Sequence, residues 1–225
     1  MTKNIWIEWV GLWGSGKTTC INGLLQNSMG TASEYGSSSD LKTSTKLQKI
    51  HTFMSTTPEK FLSSVKLILI LLPYLIKAYL KRDTIAVSEF RSLLTCYLAR
   101  LEKTKNQMTG VTLWEGEMHL LPILGLSKRT MEQAVSLIFK LNANTVNSIV
   151  VMMVDVAVSF ERVLSDENIG KNIRFSKNQN FTIDRVIKFN SSQKDLIKCL
   201  RERGLTIFES DGNIENIETF IRSIK

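Results

Sequence analysis

Residues 5–19 read Ile5-Trp6-Ile7-Glu8-Trp9-Val10-Gly11-Leu12-Trp13-Gly14-Ser15-Gly16-Lys17-Thr18-Thr19. Ile5–Val10 is a short β-rich run suited to a buried strand. Residues 11–18 match G-x-x-x-x-G-K-[ST] in full. From Lys17 onward Ile21, Leu24, Leu25 and Met29 keep helical spacing along one apolar stripe. A strand, a glycine-rich turn and a helix in this order predict a phosphate-binding loop. Gly11, Gly14 and Gly16 permit a backbone path along which successive N–H groups, with those of Trp13, Ser15 and Thr19, converge on phosphate oxygens. The helix N-terminus adds partial positive charge, Lys17 reaches the β- and γ-phosphates, and Thr18 ligates Mg²⁺. The stretch therefore predicts a nucleoside triphosphate ligand.

Working outward, 225 residues with 43% apolar and 22% charged content are ordinary for one soluble domain. Cys20, Cys96 and Cys199 have neither metal-ligand nor paired spacing and read as reduced, mostly buried thiols. The first strand starts almost at once, which leaves no room for a signal peptide and predicts a cytoplasmic protein. The formal net charge of +8 favours anionic partners. Basic residues are scattered without aromatic interleaving, so nucleic acid is not an expected partner.

Residues 30–57 are rich in Ser, Thr and Gly and predict a long loop with at most a short strand near Thr31–Tyr35. Leu62–Leu80 is the most apolar stretch, interrupted by Lys66, Pro73 and Lys77. Those interruptions argue against a span. They favour a helix buried against residues 84–103 or in a homodimer, with a membrane-surface helix as the alternative. The next helix, capped by Asp83 or Thr84, runs to about Lys103. Further elements are a strand at Val111–Trp114 ending at Glu115-Gly116, a helix opened by a capping box at Thr130–Gln133, and a strand at Ile149–Val154 ending at Asp155. A helix follows from Ala157, another over 192–203, then a last strand at Leu205–Phe208 and a helix lined by Ile214, Ile217, Ile221 and Ile224. Strands apolar throughout and alternating with helices predict an α/β fold with a parallel sheet covered on both faces.

Ligands of such sheets sit beyond the carboxyl ends of the strands, where this chain offers two acids. Glu115 beside Gly116 reads as the functional one, holding a Mg²⁺-bound water or taking a proton from an acceptor hydroxyl. Asp155 serves equally as a helix cap. Arg162, Lys171, Arg174 and Lys177 lie in or beside a non-periodic basic stretch, 165–180, suited to a lid that closes over ATP. Glu89, Arg91 and Arg100 precede the Glu115 strand and are candidates for holding an acceptor. His51 and His119 lack metal-ligand spacing, and His119 either lines the site or is structural.

The layout resembles the thymidylate-kinase-like branch of the P-loop kinases. The resemblance is carried by Ile7–Thr19, Leu113-Trp114-Glu115-Gly116, Val151–Asp155 followed by Phe160-Glu161-Arg162, and the closing Gly204–Gly212. It spans nearly the whole chain, and only the phosphate loop is specific. It implies one domain over 1–225 with a five-stranded parallel core, an acceptor region over about 58–104, a lid over about 162–180, and ATP with Mg²⁺. Family members carry Asp-Arg, with the arginine on the acceptor phosphate, where this chain has Glu115-Gly116. Asp166 stands where a second arginine often falls. Both departures argue against thymidylate, and the Glu-Gly form is similar to divergent relatives associated with bacterial surface-polysaccharide genes. The expectation is a kinase of a sugar, sugar phosphate or nucleotide, in which Lys17, Glu115, Arg162 and Arg174 act on the transferring group. The alternatives are a nucleotide-hydrolysing regulator working through residues 62–80 and a membrane-attached scaffold.

Overall fold

In a computed structural model the protein is described over residues 5–27, 34–37, 57–103, 111–142, 146–165 and 181–224. Five strands pair in parallel: β1 (Ile5–Gly11), β2 (Glu34–Ser37), β3 (Val111–Glu115), β4 (Val146–Met152) and β5 (Thr206–Ser210). Their spatial order is β2-β3-β1-β4-β5. Parallel neighbours need crossover connections, which place helices on both faces of the sheet. The described helices are α1 (Lys17–Asn27), α2 (Pro58–Leu80), α3 (Thr84–Lys103), α4 (Glu117–Leu120), α5 (Lys128–Phe139), α6 (Val156–Ser165), α7 (Ile183–Glu202) and α8 (Ile214–Ser223).

The central strand β1 is buried along its whole length, and its side chains alternate between two cores. Ile5, Ile7 and Trp9 join Cys20, Ile21 and Leu24 of α1 and Ile217 of α8. On the opposite face Trp6 and Val10 join the helices α3, α5 and α7 through residues such as Phe90, Val135 and Leu196. The α/β sheet with two covered faces is the expected one. Pairing of Glu8 with Trp114 and of Gly11 with Met152 sets the ends of β3 and β4 on either side of the phosphate loop. The three cysteines are free and buried.

Several boundaries differ from the sequence reading. α5 starts before Thr130, because Ser127 is the cap and its Oγ accepts the Thr130 N–H at 3.3 Å. The Thr130 hydroxyl instead lies 3.0 Å from that of Tyr74 on α2. α7 begins at Ile183 rather than near 192, capped by Thr182. Its buried Val186 and Phe189 carry the apolar stripe back through the polar Asn190-Ser191-Ser192, which alone reads as a break. The strand expected near Thr31–Tyr35 lies at Glu34–Ser37, and residues 31–33 fall outside the described residues.

α2 departs most. It opens with Thr57 as cap and Pro58 in the first turn, and Pro73 lies within it. It packs on α3 and α5, yet buries only Ser64, Leu67 and Leu71. Ser64 Oγ sits 3.1 Å from the Tyr97 hydroxyl of α3, and burial pushes that phenol up to about 12. Ile70, Tyr74 and Leu75 are partly buried beside them, whereas Phe61, Leu62, Leu69, Leu72, Ile76, Tyr79 and Leu80 are exposed, so packing against α3 and α5 covers one side of the apolar run.

Candidate active site

The phosphate loop links β1 to α1, with Gly14 at φ 68° and Gly16 at φ 84°, conformations that side chains rarely adopt. A Cβ on Gly14 would also meet Ser159 O at 3.1 Å and Val163 Cγ2 at 3.3 Å, because α6 lies against the loop. Ser159 fastens that contact by donating to Trp13 O at 2.5 Å. Lys17 is folded under the loop and almost fully buried. Its Nζ lies 3.2 Å from Gly11 O, 2.9 Å from Leu12 O and 3.2 Å from Ser15 Oγ. Burial holds this ammonium below the ordinary lysine value, and the neighbouring Glu115 carboxylate works against that shift.

Glu115, the last residue of β3, reaches across to the start of α1. Its Oε2 accepts from Thr18 Oγ1 at 3.0 Å and its Oε1 stands 3.6 Å from Lys17 Nζ. One carboxylate thus touches both the cation and the hydroxyl of the loop. Gly116 does not leave room for a ligand. A Cβ there would collide with the Trp114 indole at Nε1, and would meet Cδ1 at 2.7 Å and Cε2 at 2.9 Å. The indole folds over Gly116 to donate from Nε1 to Glu117 Oε2 at 2.9 Å.

The cleft at this loop has a volume of about 680 Å³ and is walled by residues 13–20, Glu115, His119, Met152, Arg162, Ser165, Asp211 and Gly212. No protein-family model matches the chain, and no curated protein sequence matches it. Solved structures do. The deoxyadenosine kinase of M. mycoides with bound dATP superposes with a TM-score of 0.54 at 12% identity, over 97% of this chain and 99% of that one. The same enzyme with bound dCTP gives 0.52 at 13% identity, over 97% and 100%. A shikimate kinase from Acinetobacter baumannii in complex with shikimate gives 0.45 at 16% identity, over 100% and 96%. The chain shares the P-loop α/β fold of the M. mycoides enzyme.

Within that fold the candidate residues separate by position. Asp155 lies beyond the end of β4 and caps α6, accepting the N–H groups of Ala157 at 2.8 Å and Val158 at 3.3 Å. Arg162 lines the cleft, with Nη1 3.4 Å from Gly14 O. Lys171, Arg174 and Lys177, and the lid beyond residue 165, lie outside the described residues, as does His51. Arg91 is exposed on α3 and Glu89 is buried.

Arg100 corrects the acceptor reading. It is fully buried, and its guanidinium grips Glu117 through Nε at 3.0 Å and Nη2 at 2.8 Å while Nη2 also pairs with Glu8. The plane lies 4.8 Å from the Trp6 ring and 5.7 Å from that of Trp114. A guanidinium with no exposed face and two carboxylates cannot hold an acceptor. It ties α3 to β1 and to the turn that carries Glu115.

His119, Asp211 and Gly212 are cleft residues that sequence reasoning missed or left open. Burial keeps the His119 imidazole well below the usual histidine range, with the Lys17 charge adding to the effect. Its ring hydrogen-bonds the Gly11 backbone, and Nδ1 is buried without a protein partner. The spacing from Glu115 was the only signal for it. Asp211 and Gly212 follow β5 and close the opposite wall, where Cys20 Sγ donates to Gly212 O at 3.5 Å.

Proposed function

We propose that this protein is an ATP-dependent phosphotransferase acting on a small acceptor. The observation that carries the proposal is the Glu115 carboxylate held between Lys17 and Thr18 at the mouth of the phosphate loop. In this reading the loop amides and the α1 N-terminus bind the phosphates, and Lys17 turns from the loop carbonyls to the β- and γ-oxygens. Arg162 approaches the same oxygens from α6 and stabilises charge that spreads over them during transfer. Glu115 takes or orients the proton of the acceptor hydroxyl.

Thr18 and Glu115 are also the groups that would hold Mg²⁺. Among the described residues no cluster of three or more His, Cys, Asp or Glu side chains suits a metal. A magnesium ion binds one or two protein oxygens together with substrate phosphates rather than a full protein cage, and the Thr18 hydroxyl and Glu115 carboxylate, 3.0 Å apart, are oxygens of that kind. The ion would neutralise phosphate charge and help align the transferred group.

The acceptor proposed is a sugar, sugar phosphate or nucleotide. The indole over Gly116 leaves that position no side chain for an acceptor phosphate, which favours an acceptor gripped elsewhere. The test is transfer of radiolabelled γ-phosphate from ATP to a panel of nucleosides, nucleotides, sugars and sugar phosphates. Labelled product with at least one acceptor supports the reading. Phosphate release to water alone, unaffected by every acceptor, would replace it with the nucleotide-hydrolysing alternative.

A further inference from the structure

α2 has two apolar faces where an amphipathic surface helix needs one. The inner face is anchored: Ser64, Leu67 and Leu71 are buried, and Tyr74 reaches Thr130 of α5. The outer face carries Leu62, Leu69, Ile76, Tyr79 and Leu80, each at least half exposed, with Tyr79 at 75% and Leu80 at 77%. At 3.6 residues per turn these five fall in an arc of about 100° and run about 27 Å along the axis. α2 is long and apolar enough to cross a membrane, with mean hydropathy 1.8 in its most apolar window, of which 17% is buried. The anchored inner face rules out spanning with the domain intact. A surface run of this kind marks a contact with something else.

We infer that the outer face of α2 lies on an anionic lipid surface. The charges around it choose the occupant. Lys66 and Lys77 are exposed along one border of the arc and Lys81 stands at its end. The arc itself holds no charge, and the helix carries one acid, Glu59. Asp83, just beyond, is taken by Arg185 at 2.8 Å. The pairing with a second copy that covers the whole run is antiparallel, about a two-fold axis near residue 71. The antiparallel helices would then bring Lys66 of one copy beside Lys77 of the other. Anionic headgroups accept the same cations, and acyl chains accept the leucines. The chain's net charge of +8 has the matching sign. Lys77 and Lys81 also line a groove of about 560 Å³ that shares Trp13 with the phosphate-loop cleft. Docking therefore sets this groove at the headgroup level.

Co-sedimentation with phosphatidylcholine vesicles, plain or mixed with phosphatidylglycerol, tests the inference. The whole chain should pellet with the mixed vesicles at low salt and stay in solution with the plain ones. Lys66→Gln with Lys77→Gln should weaken binding about 30-fold, from two surface cations. Leu69→Glu with Ile76→Glu should abolish binding and leave the melting temperature unchanged, since both side chains face outward. Lys17→Ala should bind vesicles like the parent, so failure of the kinase reading and failure of this one are separable. No binding to mixed vesicles, or binding that survives the Leu69/Ile76 pair, would overturn the inference. So would a dimer in light scattering that the same pair dissociates, which would assign the face to a second copy.

Discussion

Substituting Gly116 by alanine tests whether the turn that carries Glu115 is shaped by the Trp114 indole. Gly116 has φ −145° and ψ −134°, and whatever a methyl costs the backbone there is common to every Trp114 background, so a cycle with Trp114 isolates contact with the indole. The new methyl would overlap the indole, with Cδ1 at 2.7 Å and Cε2 at 2.9 Å, and the ring would have to swing away. Overpacking of this kind costs ~1–3 kcal/mol. The swing also breaks the 2.9 Å bond from Trp114 Nε1 to the buried Glu117 carboxylate. A hydrogen bond to a charged group contributes ~1.5–3 kcal/mol, which brings the total to about 2.5–6 kcal/mol. For a domain of this size that lowers Tm by about 10 °C. Trp114→Val ends at Cγ, short of every atom the methyl would meet, and already lacks the indole N–H. Gly116→Ala in that background should therefore cost at least ~2 kcal/mol less, and that difference is the coupling a double-mutant cycle reads. Urea denaturation followed by circular dichroism measures all four corners. Costs that add within ~0.5 kcal/mol would refute the account, because the two residues would then act independently.

Glu115→Gln should lower turnover by ~10²–10⁴-fold while ATP affinity in calorimetry stays within a few-fold. Near-normal turnover would reduce Glu115 to a structural hydrogen bond with Thr18. Lys17→Met should abolish ATP binding without lowering the melting temperature of the free protein. Burial depresses the folded-state value below 10.5, so the fold penalises the charged form relative to the unfolded chain. Wild-type stability should rise with pH from that depressed value up to 10.5, and the rise should vanish in the variant. For His119 the folded-state value also lies well below 6.5, so the unfolded chain gains the proton first as pH falls. Stability present above pH 6.5 should fall below it by up to ~1.4 kcal/mol per pH unit. His119→Gln should flatten that slope, and parallel acid profiles would show that the histidine is not the group responsible.

The phosphate loop was legible because its signals are local. A strand, three glycines, a lysine and a helix lie within a few turns of chain, and each constrains the backbone directly. Apolar runs alternating with helical stripes likewise predicted a parallel sheet covered on both faces, since only that arrangement buries such strands. The geometry of the loop's partner was a matter of tertiary structure. β3 and β4 both flank β1, so both strand-end acids come near the loop, and the sequence had already set Glu115 ahead of Asp155. Glu115 is the last residue of its strand, and its side chain stays beside the loop. Asp155 lies past the end of β4, where the chain has turned and the free N–H groups of α6 capture its carboxylate. Arg100 read as an acceptor ligand because its partners, Glu8 and Glu117, come from other elements and are invisible to helical spacing. Only the fold shows that the Trp114 indole lies over the glycine after Glu115, because the ring's partner, Glu117, is set by the turn and not by any sequence spacing. For α2, composition set how much apolar surface the helix carries. The packing of α3 and α5 decided that one stripe is buried, because two neighbouring helices cover only part of its circumference.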